Sequence, residues 1–253
     1  MLLAIDQGNT NTVFGVFDGE DLTKDWRLST QKERTVDEYG ALLRSLFDLD
    51  KLDPDAIDRV IVSSVVPPLD PVLAQMVRRY FSVEAIFASP ENAGIPVLYD
   101  DPGEVGADRI VNAVAVLERY GSPAIIVDFG TATTFDAITA KGEYLGGLIT
   151  PGIEISANAL TDRAARLPRI DIRKPDQFIG TSTQASLQAG FFWGYVFLVD
   201  GIIDRMRREL GEDSEIIATG GMAGFIQEES RWISTIDINL TLRGLYFVAR
   251  RLG

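Results

Sequence analysis

Two aspartates in this chain end apolar runs. Asp6 follows Leu2–Ile5 in MLLAIDQGNTNT, and Asp128 follows Ala124–Val127 in AIIVDFGTATT; a glycine (Gly8, Gly130) stands two residues further on in each case, inside a threonine-rich turn. Turning the chain needs only a glycine or an asparagine. Gln7, Gly8, Asn9, Thr10, Asn11 and Thr12 carry far more hydrogen-bonding capacity than that. Gly8 has no Cβ and lets a ligand approach the backbone, and successive N–H groups in such a turn form a concave anion nest, with Asn9 to Thr12 as further donors. The Asp6 carboxylate would repel a phosphate directly and becomes useful where Mg²⁺ or water bridges the two. The plainer alternative is a hairpin turn bonded to its own backbone. A second copy about 120 residues later favours two phosphate-facing turns that clamp one polyphosphate.

The elements around these turns repeat as well. Each aspartate-ended strand leads into a second alternating strand, a glycine turn (Asp18-Gly19, Lys141-Gly142) and a third strand, which is the pattern of an antiparallel meander. After the first meander the periodicity predicts a helix over Val36–Leu49, a strand over Arg59–Val65, a helix over Pro71–Phe81, a strand over Glu84–Ala88 and a helix over Val105–Arg119. After the second it predicts helices over Glu154–Arg166 and Gln184–Leu210, a strand over Ile216–Thr219 and a closing helix over Thr241–Leu252. A meander followed by alternating helix and strand, twice, predicts a duplicated α/β protein with mixed sheets, divided at 1–118 and 119–253, with a cleft between the halves.

Composition narrows the chemistry. The 253 residues include no histidine and no cysteine. Thiolate metal sites, cysteine nucleophiles and imidazole bases are therefore excluded, proton transfer falls to Asp, Glu, Lys or Tyr, and any metal should be hard and oxygen-bound. A net charge of −13 argues against nucleic acid and anionic membranes as partners. The longest apolar stretch, Phe191–Val199, is too short for a span of about 20 residues, and MLLAID lacks the features of a signal peptide, so a soluble cytoplasmic protein is expected. The apolar, aromatic-rich helix around it predicts burial in a domain core and a homodimer face.

DQGNTNT, DFGTATT and the late ATGGM (Ala218–Met222) resemble the ATP-binding pattern of the actin, sugar-kinase and Hsp70 superfamily. Together with YDDPGEVGADR (Tyr99–Arg109) and GTSTQASLQAG, they closely resemble type III pantothenate kinase over essentially the whole chain. One departure is Gln7, where an apolar residue is more usual. The resemblance implies two actin-like (ribonuclease H-like) domains with an interdomain ATP cleft, and transfer of phosphate from ATP to pantothenate, the first step of coenzyme A biosynthesis. It implies that Asp6, Gln7, Gly8, Asn9, Thr10, Asn11, Thr12 and Val13, with Thr131, bind ATP, and that Asp6 organises Mg²⁺ indirectly. It places Asp108 as the catalytic base, Asp128 on a monovalent cation (K⁺ or NH₄⁺), and Tyr99, Gly106, Ala107, Asp108, Arg109 and Thr183 on pantothenate. It also favours a homodimer.

The residues themselves are suited to those roles. A primary alcohol needs an acceptor for its proton, and an aspartate can take it late in phosphoryl transfer. Arg109 could pair bidentately with a substrate carboxylate. Gly220-Gly221 would let adenine lie against backbone, or simply turn a strand into a helix. Asp108-Arg109 would otherwise be a helix-start pair on a solvated surface, Tyr99 ordinary half-buried packing, and Thr183 the N-cap of the long helix. Two other functions fit the same sequence: another small-molecule kinase of the same fold, or a non-catalytic accessory factor in transcription.

Overall fold

A computed structural model describes all residues, Met1–Gly253. Strands β1 (Leu2–Gln7), β2 (Asn11–Asp18) and β3 (Asp21–Ser29) form the first meander, paired from Leu2↔Phe17 to Gln7↔Thr12 and from Asn11↔Ser29 to Asp18↔Asp21. Helix α1 (Val36–Asp50) follows, started by a reciprocal cap in which the Glu38 N–H donates to Thr35 Oγ1 at 3.3 Å and the Thr35 N–H donates to the Glu38 carboxylate at 2.7 Å. β4 (Arg59–Ser64) lies parallel to β1, then come α2 (Asp70–Phe81), β5 (Ala85–Phe87), parallel to β4, and α3 (Ala107–Arg119). The sheet order is β3-β2-β1-β4-β5.

The second meander is β6 (Ala124–Phe129), β7 (Ala132–Ile138) and β8 (Tyr144–Pro151). It continues through α4 (Ile153–Arg163), α5 (Thr183–Leu210), β9 (Glu215–Gly220), α6 (Ala223–Gln227), β10 (Thr235–Ile236) and α7 (Leu240–Arg251). The order β10-β9-β6-β7-β8 reproduces the first sheet when both are read outward from their central strands, β1 and β6, so the duplication is real.

Each central strand is apolar throughout because both of its faces are covered. Leu3 and Ile5 of β1 join Phe14 and Val16 in a core with Tyr39, Leu43 and Phe47 of α1 and Leu73, Met76 and Val77 of α2. Strand alternation therefore puts Leu2, Ala4 and Asp6 on the opposite face, the one on which α3 and α7 pack. In the second sheet Ile125, Val127 and Phe129 of β6 pack with Phe192, Tyr195, Val196, Val199 and Ile203 of α5. By length and mean hydropathy alone α5 could cross a membrane; here one of its faces is core.

The division of the chain differs from the expected one. The compact units are Met1–Arg119 with Asn239–Gly253, and Tyr120–Ile238. The closing helix belongs to the first unit because its apolar face, Leu240, Leu242, Leu245, Val248 and Ala249, is buried against α3 and the sheet. The approach is close enough that a Cβ on Gly244 would lie 2.0 Å from the Val111 carbonyl oxygen. Gly244→Val is accordingly expected to destabilise the protein by about 1–3 kcal/mol or more through overpacking. Urea unfolding would measure it, and wild-type stability would mean that α7 does not dock as described.

Candidate active site

The turn after β1 is built from two directions. Asp6 pairs with Val13 on β2 and with Ser63 on β4, so it stands at the end of the central strand on the α3 face. Gly8 N–H donates to the Asn11 carbonyl at 2.9 Å, and Asn9 and Thr10 are exposed at the tip. Gln7 points the other way and is fully buried. Its Oε1 accepts from Thr12 Oγ1 at 3.1 Å and Tyr39 Oη at 3.3 Å, while its Nε2 donates to Thr30 Oγ1 at 3.1 Å and the Gly8 carbonyl at 3.3 Å. A polar residue is tolerated where an apolar one was expected because its amide is satisfied on both sides. The Gln7 and Thr12 side chains are thus both hydrogen-bonded inside the unit.

Asp108 and Arg109 open α3 and are not a solvated surface pair. Arg109 is buried, and Asp108 Oδ1 accepts the Arg109 N–H at 2.8 Å. Burial pushes the Asp108 carboxyl above the usual aspartate value, against the opposing pull of that N–H and of the Arg109 charge. A Cβ on Gly106 would come within 2.6 Å of Asp108 Oδ1, so the glycine makes room for the carboxylate. The same Cβ would be 3.7 Å from Val65 Cγ1, and Val65 N–H donates to the Gln7 carbonyl at 3.1 Å. The end of β1, the end of β4 and the start of α3 thus meet at one edge of the first unit, bringing the Asp6 turn and Asp108 together there. Tyr99 lies half-buried in the segment between β5 and α3.

The second unit repeats the arrangement at Asp128, paired with Thr134 on β7 and Thr219 on β9. Its turn is tighter, with Gly130 N–H donating to the Ala132 carbonyl at 3.0 Å, and Thr131 is exposed. Gly220 has φ +89°, and a Cβ there would meet the Phe129 carbonyl at 2.5 Å and Asp128 Oδ1 at 2.7 Å. Only glycine suits that position, whereas Gly221 has open space around it. Thr183 is the first residue of α5, and the N-cap is Ser182, whose Oγ accepts the Ala185 N–H at 3.2 Å. Both residue types cap well, which is why the sequence pointed one residue too far. Relieved of capping, Thr183 lines a cavity of about 630 Å³ with Leu167, Gly180 and Ser186.

The donor set fits a hard cation held mainly by substrate. No cluster of three or more acidic side chains exists to cage a metal. Mg²⁺ commonly keeps its waters and takes one or two carboxylates plus phosphates. Asp6 supplies such a carboxylate, and the buried Ser63 Oγ beside it on β4 makes no hydrogen bond within the protein. Sequence reasoning missed Ser63, Thr30 and Tyr39, since isolated hydroxyls on distant elements leave no local pattern.

Residues 2–205 match the sequence profile described as type III pantothenate kinase. The chain belongs to that family. Type III pantothenate kinases from Koribacter versatilis and Syntrophus aciditrophicus are 51% and 52% identical to it, each over 99% of this chain and over 96% and 99% of their own length. Among solved structures, a Baf family transcriptional activator from Campylobacter jejuni superposes with a TM-score of 0.64 at 21% identity, covering 99% of this chain and 98% of its own. The activator of 2-hydroxyisocaproyl-CoA dehydratase from Clostridium difficile, solved with bound ADPNP, gives 0.57 at 14%, covering 99% and 95%. These likenesses establish the fold, that of the actin-like ATPases. For a kinase of this family, the raised Asp108 pKa has a consequence for stability. A carboxyl whose pKa is higher folded than unfolded destabilises the fold progressively as pH rises through that interval, and fully above it. Asp108→Asn is expected to be at least as stable as wild type at neutral pH, with the difference vanishing below the ordinary value of 3.8. Urea titrations at the two pH values check this, and a variant less stable than wild type at neutral pH would contradict it.

Proposed function

We propose that the protein transfers the γ-phosphoryl group of ATP to the hydroxyl of pantothenate, giving ADP and 4′-phosphopantothenate, the first step of coenzyme A biosynthesis. The observation that carries this reading is the half-identical, full-length likeness to type III pantothenate kinases in a chain that keeps Asp108 beside the Asp6 turn. The hydroxyl oxygen attacks the γ-phosphorus, the bond to the β-phosphate oxygen breaks with its electron pair leaving on ADP, and the hydroxyl proton passes to Asp108. A base whose pKa is raised by burial suits late acceptance of that proton.

The backbone of Asp6–Val13 and the exposed Thr131 bind the phosphates of ATP, and Gly220-Gly221 lets the adenine lie against main chain. Asp6 would hold Mg²⁺ indirectly, and the ion would supply charge neutralisation when bound. Asp128 would hold K⁺ or NH₄⁺. Tyr99, Gly106–Arg109 and Thr183 contact pantothenate, with the Arg109 guanidinium facing its carboxylate. The working form is a soluble, cytoplasmic homodimer, and neither nucleic acid nor membrane is a partner. The face used is the aromatic cluster of Phe178, Trp193 and Phe197, with ring centroids 5.6–6.2 Å apart and Phe197 56% exposed.

Pantothenate-dependent ADP release is the deciding assay. Asp108→Asn should lower turnover by roughly 10²–10⁴-fold, the usual range for removing a general base. Asp128→Asn should abolish the response to K⁺ or NH₄⁺. A wild-type enzyme that releases ADP with another alcohol but not pantothenate would reassign the substrate. One that releases none would favour a non-catalytic accessory role.

A further inference from the structure

Three carbonyls of the β1–β2 turn could spoil an anion site, and a donor from within the first unit holds each of them. The Gly8 carbonyl accepts from Thr30 Oγ1 at 2.7 Å and Gln7 Nε2 at 3.3 Å. The Thr10 carbonyl accepts the Thr30 N–H at 2.9 Å, and the Asn11 carbonyl accepts the Gly8 N–H at 2.9 Å. Thr30, the residue just past β3, therefore serves two of the three, once by side chain and once by backbone. Its hydroxyl is itself fixed, accepting from Gln7 Nε2 at 3.1 Å and lying 3.0 Å from Thr12 Oγ1. The Gln7 amide cannot rotate, because Tyr39 and Thr12 donate to its other end.

A carbonyl oxygen left facing outward would repel a phosphate, whereas one drawn inward turns the N–H side of its peptide toward the ligand. We infer that Thr30, locked by Gln7 and Tyr39, is a positioning residue that fixes the polarity of the phosphate turn without touching the nucleotide. This rests on the reading of that turn as the triphosphate site. It differs from a merely structural role in one respect: loss of the hydroxyl should weaken binding of the triphosphate selectively, and not of every ligand in proportion to lost fold.

The test compares Thr30→Val, which keeps the shape, with Thr30→Ser, which keeps the hydroxyl. Calorimetric titration uses a non-hydrolysable ATP analogue with Mg²⁺ and, separately, adenosine. Thr30→Val is expected to weaken analogue binding about tenfold, the order of one hydrogen bond to a site that must stay oriented. Adenosine affinity and the KM for pantothenate should stay within about twofold, and Thr30→Ser should recover most of the loss. Unchanged analogue affinity in Thr30→Val, or equal losses for analogue and adenosine, would overturn the inference. If Thr30→Val does not fold, Tyr39→Phe removes one of the two donors to Gln7 Oε1. It should then weaken the analogue about threefold and leave adenosine alone, and wild-type affinity in that variant would overturn the inference. A wild-type protein that binds adenosine but gains nothing from the triphosphate would sink the reading of the turn itself, a result distinct from failure of the variants.

Discussion

The central strand of each sheet is buried on both faces almost to its last residue, and the chain then turns where that burial ends. Polar groups on the inner side of such a turn cannot be left to solvent, because an unpaired buried group costs about 1–3 kcal/mol. They must find partners within the protein. In the first unit the inward half of this demand is met by Gln7, Thr12, Thr30 and Tyr39. The outward half carries Asn9 and Thr10 at the exposed tip. The same constraint acts at Asp128, where a left-handed glycine on β9 admits the carboxylate. Two similar turns on one topology follow from one solution to the problem of ending a buried strand.

Asp108 shows a carboxylate held against the preference of its own charge. A carboxylate is held where its charge is poorly solvated, against the first turn of α3 and the N–H of its neighbour. Those contacts offset part of the burial without neutralising the group. Gly106 contributes sterically: a residue with no side chain leaves space for a carboxylate that needs a fixed direction.

Much of this was legible in the sequence because it is local. The aspartate-ended strands, the meanders, their duplication and the GADR helix start are written within windows of a few residues, and each reappears in the structure. The less legible parts depend on residues far apart. Thr30 and Tyr39 reach Gln7 across 23 and 32 positions, and nothing near any one of them announces the others. The amphipathic pattern of α7 shows which face is buried but not against what, so the sequence alone places the helix with the half it follows and not with the unit that covers it. Ser182 and Thr183 are chemically equivalent as caps, and only the backbone decides between them.

The return of α7 has a bearing on biosynthesis. The second unit, Tyr120–Ile238, is continuous in sequence and can close its core as soon as it has been translated. The first unit is made first but cannot be finished first, because the face formed by Leu2, Ala4 and α3 stays uncovered until Leu240–Arg251 arrives. The order of synthesis and the order of completion are therefore reversed. The half that emerges earliest waits longest with apolar surface exposed, and its packing is completed only by α7.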